Sequence, residues 1–65
     1  MRITLNGELK ETSAQNVVAL LRELDAPQTG VAVAVNGRVV RRAEHEDYEL
    51  QDGDEIELIR AVQGG

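Results

Sequence analysis

Asn-Gly occurs twice in this chain, at Asn6-Gly7 and Asn36-Gly37, each time between short runs with apolar residues at alternate positions. The dipeptide supplies the two positive-φ residues of a type I′ turn, whose twist matches that of the strands it joins. Met1, Ile3 and Leu5 alternate with Arg2 and Thr4, the period of a half-buried strand, so residues 1–5 and 8–11 form a first hairpin. Val31, Val33 and Val35 alternate with Ala32 and Ala34, and residues 31–35 and 38–41 form a second. The low polarity of residues 31–35 marks an interior strand covered on part of both faces.

Between the hairpins, Val17, Val18, Leu20, Leu21 and Leu24 recur at helical spacing. Thr12, three residues before Gln15, reads as the capping box of this helix, with Asn16, Arg22 and Glu23 facing water and Asp25-Ala26-Pro27 ending it. Gly30 completes the loop. Residues 42–51 have no steady period and form an irregular connection anchored by Tyr48 and Leu50. Asp52-Gly53-Asp54 is a tight turn into a last strand, residues 56–60, with Ile56 and Leu58 on the core face. One helix covers one face of one sheet, and the last strand hides its apolar side beneath that helix most economically between the hairpins, beside residues 1–5. The expected fold class is α+β: a ubiquitin-like β-grasp, a mixed sheet of about five strands packed on one helix.

In 65 residues there is room for one small core, and with no Cys and one His neither a disulfide nor a structural zinc can staple it. Seven basic against twelve acidic residues give a net charge of -5, which opposes nucleic-acid binding. Glu44, Glu46, Asp47, Glu49, Asp52, Asp54, Glu55 and Glu57 crowd the last third and read as a solvated acidic face rather than a site for a basic partner. No run approaches the roughly 20 apolar residues of a membrane span, and no charged segment precedes an apolar one as in a signal peptide, so no membrane partner and a cytoplasmic location are expected. His45, between Glu44 and Glu46, reads as a surface histidine. Asp52, Asp54, Glu55 and Glu57 lack the spacing of a calcium loop, and no metal site is expected. Arg38, Arg41 and Arg42 read as a solvated edge, and Lys10 is the only lysine.

Three stretches carry a resemblance: residues 31–37, Val-Ala-Val-Ala-Val-Asn-Gly, followed by Val39-Val40; residues 50–58, Leu-Gln-Asp-Gly-Asp-Glu-Ile-Glu-Leu; and Gly64-Gly65. On these the chain resembles the bacterial sulfur carrier proteins, most closely the ThiS family of thiamine biosynthesis. Such chains often place Pro soon after the Val-Val pair. Arg41-Arg42 stands there instead, a departure that bears on the partner-facing surface.

Two glycines before a main-chain carboxylate make a stalk without side chains, able to thread a narrow channel and to adopt backbone conformations closed to other residues. The resemblance implies a β-grasp domain over residues 1–62 and a flexible reactive tail over 63–65. It implies that a ubiquitin-activating-like (ThiF-like) adenylyltransferase, using ATP and magnesium, joins the Gly65 carboxylate to AMP, and that a persulfide sulfur displaces AMP. The resulting Gly65 thiocarboxylate would donate sulfur to a thiazole synthase (ThiG-like). Gly64 and Gln63 would thread the partner's site, while Ile59, Ala61 and Val62 dock on it, Ile59 because it points away from the core if Ile56 and Leu58 point inward. The chain itself would bind no cofactor and hold no catalytic residue, serving as a protein cosubstrate. Carriers for molybdopterin, cysteine or tRNA thiolation, a conjugated protein modifier and a simple binding module stay open as alternatives.

Overall fold

The computed structural model describes residues 1–27 and 29–60. In chain order the elements are β1 (Arg2–Leu5), β2 (Glu8–Glu11), α1 (Val17–Glu23), β3 (Val31–Val35), β4 (Arg38–Val40), a 3₁₀ turn (Arg42–Glu44) and β5 (Glu55–Arg60). The strands form one sheet in the order β2-β1-β5-β3-β4. β5 runs parallel to β1 and antiparallel to β3, so the last strand does insert between the two hairpins. This is the mixed, one-helix β-grasp expected from the order of elements.

Both Asn-Gly turns have the backbone their residues favour, with φ of 50 and 85 degrees at Asn6 and Gly7 and of 53 and 83 degrees at Asn36 and Gly37. Each also grips the central strand. Asn6 Oδ1 accepts from the Leu58 N–H at 2.9 Å. Asn36 Oδ1 accepts from the Glu55 N–H at 3.0 Å, while its Nδ2 donates to Asp54 Oδ1 at 3.0 Å. The turns therefore fix where β5 starts and how deeply it slides between its neighbours.

The core forms where α1 lies on the sheet: Val17, Leu20 and Leu21 are fully buried against Ile3, Val33, Val35, Val40 and Ile56. Fully burying such a side chain contributes about 1.5–3 kcal/mol, which is what holds a chain with no covalent staple. Leu50 is buried and Tyr48 partly so, anchoring the irregular connection as expected.

Several local expectations are corrected. The helix is capped by Asn16, whose Oδ1 accepts from the Ala19 N–H at 2.7 Å. Thr12 instead closes a local turn, accepting from the Ala14 N–H at 3.0 Å and donating to Glu23 Oε1 at 2.7 Å. Glu23 is thus tied to the loop before the helix rather than simply facing water. The helix stops one turn before Pro27: Asp25 takes a positive φ of 56 degrees, the Ala26 N–H reaches Leu21 O at 2.8 Å and the Asp25 N–H reaches Arg22 O at 3.0 Å. Those paired bonds are a Schellman motif with Asp in the usual glycine position. β3 is interior by its neighbours; Val33 and Val35 are buried beneath the helix, while on the other face Ala34 is half-buried and Ala32 exposed. β4 ends at Val40, because the Arg41 N–H is taken by Glu44 Oε1 at 3.1 Å to open the 3₁₀ turn.

His45 is the clearest reversal: it is 2% exposed, not a surface residue. The 3₁₀ turn swings it inward, its Nε2 lies 3.1 Å from Val40 O, and its carbonyl accepts from the Val18 N–H at 3.3 Å. The residue ties β4 to α1, its ring meeting the first and its carbonyl the second. With Nε2–H assigned as the donor, Nδ1 is buried without a partner.

Candidate carrier surface

The sheet has one open face, and its composition follows from register. On β5, Ile56 and Leu58 point to the helix, so Glu55, Glu57 and Ile59 point outward. Ile59 pairs with Ala32 and Glu57 with Ala34 on β3, and Val39 on β4 pairs with that same Ala34. Ile59 at 59% exposure and Val39 at 68% thus flank two small alanines on one surface, next to the strand that leads into the tail. The expected outward position of Ile59 holds. Ala61, Val62, Gln63, Gly64 and Gly65, and with them the 62/63 domain boundary, lie outside the described residues.

Val39 is the residue that sequence reasoning missed. Its signal was available: the Asn36-Gly37 turn sets Val39 opposite Ala34, and if Val40 faces the core then Val39 cannot. Beyond β5 the open face is polar and partly self-neutralised. Arg2 and Glu11 form an exposed pair at 3.1 Å, and Leu9 stands alone on the far edge strand at 75% exposure.

The acidic turn also has a structural use. Asp54, which is buried, accepts from the Gln51 N–H at 2.8 Å, and Asp52 accepts from the Arg2 N–H at 2.8 Å. Both carboxylates lock the turn that launches β5. Among the described residues no cluster of three or more His, Cys, Asp or Glu side chains is placed to hold a metal ion. The openings are shallow grooves; one of about 560 Å³ is lined by Gln15, Asn16, Glu46, Asp47, Glu49, Leu50 and Gln51, a set with no Ser, Thr, Cys, Lys or His. Among the described residues no helix is long and apolar enough to cross a membrane.

The fold is a β-grasp with one open, partly apolar face beside its last strand, and comparison with known proteins supplies the family. The chain belongs to the ThiS family, whose profile matches residues 3–65, and it is a sulfur carrier protein of thiamine biosynthesis, not itself an enzyme. It is 38% identical over 66 residues to the sulfur carrier protein ThiS of Escherichia coli (strain K12), spanning all of both chains. With the ThiS of Thermus thermophilus it shares 33% identity over 63 residues, 97% of this chain and 98% of that one. A thiamine biosynthesis protein (ThiS) from Geobacter metallireducens has the same fold, with a TM-score of 0.85 and 32% identity over all of both chains. A thiazole synthase of Paramagnetospirillum magneticum is 35% identical over 66 residues, which cover all of this chain but 20% of that protein.

Proposed function

We propose that Gly65 is the sulfur-bearing residue and that the Ile59–Val39 surface docks the enzymes that load and unload it. The observation carrying this reading is the exposure of Ile59 on β5, the strand that runs directly into the Gly-Gly end, in a chain of the ThiS family. In the loading step a partner adenylyltransferase uses ATP and magnesium. A carboxylate oxygen of Gly65 attacks the α-phosphorus and pyrophosphate leaves, giving an acyl adenylate. The terminal sulfur of a persulfide then attacks the acyl carbon and AMP leaves. A thiol cleaves the S–S bond of the resulting acyl disulfide, releasing the thiocarboxylate and a disulfide. Gly64 and Gln63 thread the narrow part of the partner's site, and Ala61 and Val62 extend the docking surface from Ile59.

The acceptor is a thiazole synthase, a reading supported by the thiazole synthase that carries a segment like this chain. Both partners belong to the cytoplasm, where ATP and persulfide donors are at hand.

The absence of cysteine makes a clean test. The protein is incubated with ATP, a sulfur donor and candidate adenylyltransferases, then alkylated with a thiol reagent, and its intact mass is read. Label on Gly65 that requires ATP is the expected result. An AMP adduct that never takes label transfers the reading to a conjugated modifier, and full activity after removal of Gly65 in a thiamine-dependent growth test overturns it.

A further inference from the structure

An Asn or Asp followed by glycine carries a reaction in its covalent structure. With no side chain on the next residue to hinder it, that residue's main-chain nitrogen can close on the Asn or Asp side-chain carbon and form a cyclic imide. Asn6-Gly7, Asn36-Gly37 and Asp52-Gly53 are the three such steps among the described residues. All six residues are exposed, so access of solvent does not separate the sites. What separates them is how the reacting atoms are held.

Closure needs a free main-chain nitrogen and a side chain able to swing over it. At Asp52-Gly53 both are engaged, since the Gly53 N–H donates to Arg2 O at 2.7 Å and Asp52 Oδ1 accepts from the Arg2 N–H at 2.8 Å. At Asn36-Gly37 the Gly37 N–H has no partner among the described residues, but the amide is bound at both ends: Oδ1 accepts from the Glu55 N–H and Nδ2 donates to Asp54 Oδ1, each at 3.0 Å. Asp54 is buried, and its other oxygen is fixed by the Gln51 N–H, so it does not follow if the amide turns. At Asn6-Gly7 the Gly7 N–H is again without a partner among the described residues, and the amide is held at Oδ1 alone, by the Leu58 N–H at 2.9 Å. Nδ2, the leaving nitrogen, has no partner among them.

We propose that Asn6 is a site of spontaneous modification in the folded carrier, and that its product releases β5 from the first hairpin while Asn36 stays protected. The Gly7 nitrogen loses its proton and attacks Asn6 Cγ, the Cγ–Nδ2 bond breaks, and Nδ2 takes up a proton and leaves as ammonia. Water then opens the imide. Addition at Cγ gives aspartate, and addition at the main-chain carbonyl gives isoaspartate, in which the chain runs through the former side chain. That extra main-chain carbon breaks the two-residue turn that sets Leu5 opposite Glu8, and the Leu58 N–H loses its acceptor. The strand so loosened is the one that carries Ile59, one residue after Leu58. The isoaspartyl carboxylate is the group that an isoaspartyl-directed methyltransferase would recognise.

The full chain is kept at mildly alkaline pH, folded or in urea, sampled over days and digested briefly with trypsin. Cleavage after Arg2, Lys10, Arg22 and Arg38 puts Asn6 and Asn36 in separate peptides, and each is followed by the mass gain of an amide turned into an acid. In urea the two sites should react at similar rates, because the residue that follows is glycine at both. In the folded chain Asn6 should react roughly ten-fold faster or more than Asn36, the effect of the additional bond to a carboxylate. Folded chain enriched in the Asn6 product should accept methyl groups from an isoaspartyl methyltransferase and lose hydrogen-exchange protection at the Leu58 amide, while the Glu55 amide keeps its own. Equal folded rates, a faster Asn36, or a folded chain inert at Asn6 while the chain in urea reacts would each overturn the proposal. No partner and no activated terminus enters, so its failure leaves the Gly65 reading untouched, and the converse holds.

Discussion

On the helix side of the sheet Ile3, Val33, Val35 and Ile56 are each 1% exposed, whereas on the other side Leu9, Val39 and Ile59 keep 75%, 68% and 59% of their surface. One sheet supplies both sets, with β5 contributing to each, and both are aliphatic. The difference lies in cover: α1 has seven residues, about 10 Å of helix, enough to shield one face of the middle strands and nothing of the other. Ile56 and Ile59, three positions apart on β5, are thus the same side chain in two uses. One holds the fold, and the other is left free for a partner.

That contrast breaks most visibly at Ile56. Ile56→Ala removes a fully buried side chain and should lower the unfolding free energy by about 2–5 kcal/mol in urea titration, whereas Ile59→Ala should change it by about 0.5 kcal/mol or less. Equal losses at the two positions would dissolve the distinction between the faces. Ile59→Asp should keep its fold yet slow adenylation by roughly ten-fold or more, the effect of placing a charge in an apolar contact centre. A folded Ile59→Asp protein adenylated at the normal rate would remove Ile59 from the docking surface.

A smaller comparison sets the two Asn-Gly turns against each other. Asn36→Ala forfeits the left-handed preference of its position and both side-chain bonds to Glu55 and Asp54, leaving a buried carboxylate oxygen without that donor. Asn6→Ala forfeits the same preference but one side-chain bond, to the Leu58 N–H. Costs of about 2–3 and 1–2 kcal/mol follow, in that order. The reverse order would mean that β5 is set by its pairing with β1 rather than by the second hairpin.

What was legible in the sequence follows the range over which each signal acts. The Asn-Gly turns, the alternation in residues 31–35 and the helical spacing of Val17, Leu20 and Leu21 are local, and they place the two hairpins and the helix; the Asp52-Gly53-Asp54 turn and the alternation after it place β5, and the need to cover its apolar side sets it between the hairpins. The helix start was misread because Thr12 and Asn16 are both acceptable caps, and the choice depends on Glu23 and Glu46, neither of them a local neighbour. Glu23 takes the Thr12 hydroxyl, while Asn16 Nδ2 donates to Glu46 O at 3.1 Å. His45 was misread for a related reason. Its flanking glutamates argue for solvent, but a single 3₁₀ turn aims it at Val40, and no periodicity announces a turn so short. For the candidate surface, alternation gave Ile59 directly. Val39 needed the register across β4 and β3 as well.

The finest distinction concerns the loop that Thr12 closes. Its hydroxyl donates to Glu23 and is the main cause holding that carboxyl below the ordinary carboxylate value; partial burial opposes the shift, and Ser13 and Lys10 add to it. A carboxyl with a lowered folded value binds fewer protons folded than unfolded as pH falls through the ordinary range. Its contribution is therefore fully present above the unfolded value and is lost as pH drops through the folded one. Glu23→Gln should flatten the stability profile between about pH 5 and pH 3, measured as the urea midpoint, while leaving the slope from other carboxylates in place. Thr12→Val, which removes the largest cause and keeps Glu23, should flatten it to a similar degree and cost more at neutral pH, because the Ala14 N–H then loses its buried acceptor. If Thr12→Val leaves the acid limb unchanged, Glu23 is held by Lys10 across the β2–α1 gap instead, and that limb should then weaken with added salt.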